Sequence, residues 1–200
     1  MSNIRFDVLQ TGSSGNCVVL NDIIALDMGV PYKKVAPHVR DLQLIFVGHE
    51  HADHFKASTI RALAAERPTM RFCGGWMYSK FIGAGVSACN VDVLEAEKRY
   101  DYGAFQIEPV TLYHDVPNYG TKVFINGKKV IYIVDTGYVD DVDAKDFDLF
   151  LLESNHTQAE IEARIADKQS RGEFAYEVRA ARNPEPGAGA GLAGTERRTK

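Results

Sequence analysis

The sequence predicts an α/β fold, a sandwich of strands whose ends bring polar groups to one edge. Three observations predict it. Short apolar runs of strand length recur along the chain, with a helical repeat between them at residues 56–66. Asn126-Gly127 separates two apolar alternations, the strongest short-range hairpin signal. Histidine or carboxylate residues stand where the runs 44–47, 105–112, 129–134 and 149–152 end. With 200 residues the chain can bury a sizeable core, and residues 1–183 are read as one domain.

The elements follow in order. Ile4, Phe6 and Val8 share one face and predict a first strand. The loop Thr11-Gly12-Ser13-Ser14-Gly15-Asn16 comes next. Its glycines allow a sharp turn close to a ligand, although alone they would read as a plain hairpin turn. Residues 17–20 and 23–26 are the second and third strands, and Asp27 ends the third beside Gly29. Leu44-Ile45-Phe46-Val47 reads as a buried strand. Ile60, Leu63 and Ala64 line one face of a helix that Pro68 stops. Residues 70–73 form a short strand broken by Gly74-Gly75, and a helix follows around residues 77–82. Phe105, Ile107, Val110 and Leu112 predict a strand with a register break near Pro109. Residues 121–125 and 129–134 flank the hairpin turn, and residues 149–152 form another strand. A helix is expected at about residues 158–169, with Ile161 and Ile165 on its buried face. From Pro184 the chain reads PEPGAGAGLAGTERRTK. Such a segment buries too little apolar surface to offset its ordering entropy, so residues 184–200 are expected to be a disordered tail.

Composition narrows the function. A net charge of −4 argues against a protein held on nucleic acid by a basic surface, but not against a nuclease whose metals bind the phosphate. Lys33, Lys34, Lys122, Lys128 and Lys129 read as solvated, and no basic stripe interleaved with aromatics is present. Cys17, Cys73 and Cys89 are too few and scattered for a disulfide framework or a zinc ribbon, which leaves buried free thiols in a reducing compartment. The N-terminus lacks the apolar core of a signal peptide, and no segment has the apolar length of a membrane span. A cytoplasmic protein without membrane contact is expected.

The most informative segment is His49-Glu50-His51-Ala52-Asp53-His54, in which three imidazoles and the Asp53 carboxylate fall within six residues. Imidazole and carboxylate together suit zinc, iron or manganese. His49 and His51 can converge on one ion while Asp53 and His54 reach a second. His114 is the natural third imidazole for the first ion, and Asp135 has two oxygens with which to bridge both. Taken alone, His114 could be a surface histidine and Asp135 a turn aspartate before Gly137; the whole set raises both above that reading. His38 has no evident partner and reads as a surface residue.

GHEHADH resembles the H-x-H-x-D-H signature of the metallo-β-lactamase superfamily. GSSGN at residues 12–16, ALDMG at 25–29, YHDVPNYG at 113–120, VDTG at 134–137 and ESNH at 153–156 fall in the family's order. GSSGNC and ESNH are most similar to the WalJ/YycJ-like branch and its phage and prophage relatives. The resemblance implies an αββα sandwich, here with an incomplete C-terminal part. It implies two divalent ions, zinc first, with manganese or iron as alternatives. His49, His51 and His114 would hold the first, Asp53 and His54 the second, with Asp135 bridging. Asp27 would orient the histidine loop. The family's last metal-binding histidine should follow Asn183, where this chain has Pro184. The change of composition there reads as a frameshift or recombination scar, and a weak second site follows. His156 reads as a pocket-lining or solvated residue. The implied activity is metal-dependent hydrolysis of phosphodiesters, with nucleic acid as substrate and Asp53 as general base. The alternatives are a lactone or thioester hydrolase, or an inactive or weakly active metal-binding remnant that lacks the last second-site histidine.

Overall fold

The computed structural model describes residues 4–137, 139, 142–154, 170–171 and 191–196. Two six-stranded sheets face each other. The first runs β1 (Phe6–Gln10), β2 (Cys17–Leu20), β3 (Ile24–Leu26), β4 (Leu44–Phe46), β5 (Arg71–Gly74) and β6 (Val91–Val93), in that spatial order. Its first three strands are antiparallel and β3 to β6 are parallel. The second runs β7 (Tyr100–Asp101), β8 (Phe105–Leu112), β9 (Asn118–Ile125), β10 (Lys128–Ile133), β11 (Leu149–Ser154) and β12 (Gly191–Glu196). All its pairs are antiparallel except β10 with β11.

The strands of the first sheet read as unbroken apolar runs because both of its faces are covered. Val18, Leu20, Leu26, Leu44 and Phe46 point between the sheets and meet Ile107, Val123, Val130 and Tyr132. Their neighbours Cys17, Val19, Ala25, Ile45 and Val47 point the other way, as the two-residue period requires. There they meet helices α1 (Tyr32–Val35), α2 (Ala57–Glu66) and α3 (Tyr78–Gly83) through Val35, Ile60, Leu63 and Phe81. The outer face of the second sheet carries its own apolar cluster of Val110, Leu112, Ile131, Ile133 and Phe147. The helix expected at about residues 158–169 lies outside the described residues.

The Asn126-Gly127 turn forms as its composition requires, with φ of 53° and 74°. Pro109 behaves otherwise than expected. The β8–β9 register continues through Pro109 opposite Thr121 without a shift. β7 reaches only to Ile107 along β8; beyond it Glu97 N–H donates to Pro109 O at 2.8 Å, a contact that uses the proline's carbonyl and not its missing N–H. Within the segment expected to be irregular, residues 191–196 form β12 along β11. A ladder is made by backbone N–H and C=O groups, which glycine and alanine supply as well as any residue; the rest of that segment lies outside the described residues. His38 is not partnerless: its Nδ1 lies 3.5 Å from Asp22 Oδ1. Cys17 and Cys73 are buried free thiols, while Cys89 is exposed. No helix among the described residues is long and apolar enough to cross a membrane.

Candidate metal centre

The site lies beyond the carboxyl ends of the parallel strands, where open α/β sheets place their ligands. Asp27 follows β3 and His49 follows β4. His114 follows β8 and Asp135 follows β10; both strands run antiparallel to β9, so they end on the same edge. Asp27 and Asp135 both have left-handed backbones, with φ of 59° and 49°. Aspartate tolerates that conformation better than most residues, and strain of this kind gathers at functional sites.

Backbone contacts hold the histidine loop against the end of β3. Met28 N–H donates to His54 O at 2.9 Å, and Lys56 N–H donates to Met28 O at 2.9 Å. Asn16 N–H donates to Asp53 O. Gly29 makes this close approach possible: a Cβ there would sit 1.7 Å from Asp53 O. Gly29→Ala is therefore expected to push the loop away, at a cost of about 1–3 kcal/mol from overpacking, and to weaken metal uptake. Thermal unfolding with and without chelator measures both; wild-type values in each would show that the loop does not depend on this contact.

The side chains form two overlapping donor groups. In the first, His51 Nδ1 lies 3.1 Å from His49 Nε2 and 3.2 Å from His114 Nε2. In the second, Asp135 Oδ2 lies 2.6 Å from His54 Nε2 and 3.5 Å from His49 Nε2. Asp53 Oδ2 stands 3.6 Å from His54 Nε2. The structure thus brings together all six sequence-predicted ligands. His49 stands between the two groups. Glu153 is the penultimate residue of β11, near the same edge, and His156 lies outside the described residues.

The donor set fits divalent ions. A tetrahedral zinc site with nitrogens at about 2.0–2.1 Å separates them by roughly 3.3 Å, close to the spacing around His51. One ring nitrogen carries a single proton or lone pair, so hydrogen bonding alone cannot satisfy both neighbours of His51 Nδ1. A cation among the three nitrogens can. Burial, and then the neighbouring His54, lower His49 to about 4, which keeps its ring neutral and its lone pair available. Burial works against a charged His54, but Asp27 and Asp135 outweigh it and raise its affinity for a proton. Burial also opposes the Asp135 carboxylate, yet the hydrogen bond to His54 and the surrounding imidazoles hold it ionised.

Asp27 is the hub behind the site. It is fully buried. Its Oδ1 accepts Gly48 N–H at 3.0 Å, and its Oδ2 faces His54 Nδ1 at 2.7 Å and accepts Tyr132 O–H at 2.7 Å. With Nδ1 held by Asp27, His54 turns Nε2 toward the centre. Sequence reasoning anticipated Asp27 but missed four others. Tyr132 reads as an ordinary strand residue, and nothing local marks it. Asn16 accepts Gly12 N–H at 2.8 Å through Oδ1, which aims Nδ2 at His54 Nε2, 2.9 Å away; its place after two glycines was the available signal. Asn118 Nδ2 donates to Asp135 O at 2.9 Å and Val134 O at 3.1 Å, fixing the bend that presents Asp135. Asp115 Oδ1 lies 3.1 Å from His114 Nε2 on the exposed side. A third grouping, Asp7, Asp22 and His38, lies at the opposite edge, where Arg5 Nη2 already pairs with Asp22 at 2.8 Å.

Two stacked mixed sheets with a histidine–aspartate centre on one edge define the metallo-β-lactamase fold. The family model described as beta-lactamase superfamily domain matches residues 21–180, and the chain belongs to that family. Among curated relatives, exodeoxyribonuclease YycJ of Bacillus anthracis is 25% identical over 167 residues, covering 76% of this chain and 63% of its own. The chain thus spans less than two thirds of that relative. Human tRNase Z, short form, superposes with a TM-score of 0.60 at 17% identity, over 80% of this chain and 82% of the other. Zn²⁺-bound PqqB of Methylobacterium extorquens gives 0.55 at 11% identity, over 76% and 64%. YhfI of Bacillus subtilis gives 0.55 at 14% identity, over 66% and 62%. At these identities the structural likenesses speak for the fold alone.

Proposed function

We propose that the chain is a metal-dependent phosphodiesterase acting on nucleic acid, with two divalent ions, zinc first and manganese or iron as alternatives. The observation that carries this reading is the pair of overlapping donor groups joined at His49. His49, His51 and His114 would hold one ion; Asp53 and His54 would hold the other, with Asp135 placed to reach both. When bound, such ions polarise a phosphoryl oxygen and bring the pKa of water near 7. The chain's own residues do the rest. His51, His114 and Asp115 are partly exposed and border the open side by which substrate enters. The Asp53 side chain is 28% exposed and reaches that side, where its carboxylate accepts the proton of the attacking water. Asp27 and Tyr132, both fully buried, keep His54 in one orientation.

The exodeoxyribonuclease relative supports nucleic acid as the substrate class. The net charge of −4 means that phosphate recognition rests on the ions more than on a basic surface. The test is nitrophenol release from bis(p-nitrophenyl) phosphate across zinc, manganese and iron. Metal-dependent release that chelator abolishes is expected. Turnover of a β-lactam, lactone or thioester with no release from the diester would overturn the reading.

A further inference from the structure

Trp76 is the chain's only tryptophan, and it is 68% exposed. Tryptophan is usually well buried, so this placement asks what covers the indole. The residue lies beside the candidate metal centre. β4 and β5 are adjacent parallel strands with Phe46 opposite Cys73. Three residues further along each chain stand His49 and Trp76. Val47 N–H still donates to Cys73 O at 3.0 Å, so the two segments remain joined beyond β4.

The loop that carries Trp76 is firmly seated. A Cβ on Gly74 would lie 2.6 Å from Val47 O, and one on Gly75 would lie 2.2 Å from the Tyr119 ring. Tyr119 N–H donates in turn to Gly48 O at 3.2 Å. On the other side, Lys80 of α3 pairs at 2.8 Å with Glu50, the residue between His49 and His51. Met77 and Phe81 fill the core from this segment, which leaves Trp76 outward. Tyr113, next to His114, is also exposed, at 40%.

We propose that Trp76 is a stacking platform for an unpaired base of a single-stranded nucleic acid whose neighbouring phosphate lies at the metal centre. This rests on the phosphodiesterase reading and adds what that reading lacks, a contact to the base. Lys80 is neutralised by Glu50, and among the described residues no lysine track leads to the site, so stacking must supply much of the strand's hold. Every base offers a π face, so such a platform accepts any sequence but requires an unpaired base.

The single tryptophan is its own reporter. The metal-loaded protein would be titrated with a phosphorothioate oligothymidylate while indole emission is followed. Saturable quenching by the single strand, and weaker quenching by the same strand in a duplex, is expected. Trp76→Ala should lower kcat/KM for the oligonucleotide relative to methyl p-nitrophenyl phosphate by about tenfold, mainly through KM. Trp76→Phe should restore part of the ratio. Absence of quenching in a protein that hydrolyses the small diester would overturn the platform and leave the phosphodiesterase reading standing. So would emission already shielded from acrylamide in the free protein, which would mean that another segment or a protein partner covers the indole. Failure to hydrolyse either diester would remove both.

Discussion

His51→Ala is expected to empty the three-imidazole end of the centre while leaving the fold intact. His51 Nδ1 is the only donor atom within 3.2 Å of both His49 and His114 Nε2 among the described residues. Its removal leaves two imidazoles whose ring centroids are 4.8 Å apart and the Asp135 carboxylate beside His49, with no other imidazole among the described residues to replace it. Asp115 lies near His114 but on the exposed side. Loss of a partner that merely orients a ligand weakens metal binding by about 10–100-fold; loss of the ligand itself should exceed that. Stability without metal should barely move. The side chain is 36% exposed and makes no buried hydrogen bond to the backbone, and such sites usually respond within about 0.5 kcal/mol. Metal content after dialysis, set beside denaturant unfolding in chelator, separates the two effects. Two ions retained at wild-type affinity would show that His51 is not a ligand.

The part of the centre written locally was legible. Residues 49–54 carry four of the six predicted ligands on one loop, and their chemistry shows at any register. The strand pattern was legible too, because both faces of the first sheet are covered and its strands read as continuous apolar runs. What escaped depends on contacts distant in sequence. Tyr132 reaches Asp27 across 105 positions, and its hydroxyl is indistinguishable in sequence from that of any strand tyrosine. Asn118 was visible inside a motif, but its task, holding the carbonyls of Val134 and Asp135, exists only once β9 pairs with β10. Pro109 misled because its cost depends on what lies opposite, and β7 ends before reaching it. β12 escaped because residues 191–196 stand in a segment rich in glycine and alanine, whose backbone groups can still pair along β11.

Asp27→Ala should produce the larger loss of stability, and Asp27→Asn the more selective loss of metal. Alanine strands three buried partners at once: Gly48 N–H, His54 Nδ1 and Tyr132 O–H. Breaking one side of a buried charged pair costs about 3–5 kcal/mol, so the unfolding midpoint should fall even in chelator. Asparagine keeps the shape. Its oxygen can still accept Gly48 N–H, but its amide then donates toward His54 Nδ1. The ring must answer with a lone pair there, which moves its proton to Nε2 and turns the ligand atom into a donor facing Asp135. Stability should therefore suffer less than with alanine, while affinity at the His54 end falls about 10–100-fold. Tyr132→Phe removes one bond to the same carboxylate and should cost about 1 kcal/mol, with His54 still correctly protonated and only a small change in metal affinity. Calorimetric titration of the three variants ranks them. An asparagine variant that binds two ions as tightly as the parent would mean that Asp27 serves packing, and that some other contact sets the tautomer of His54.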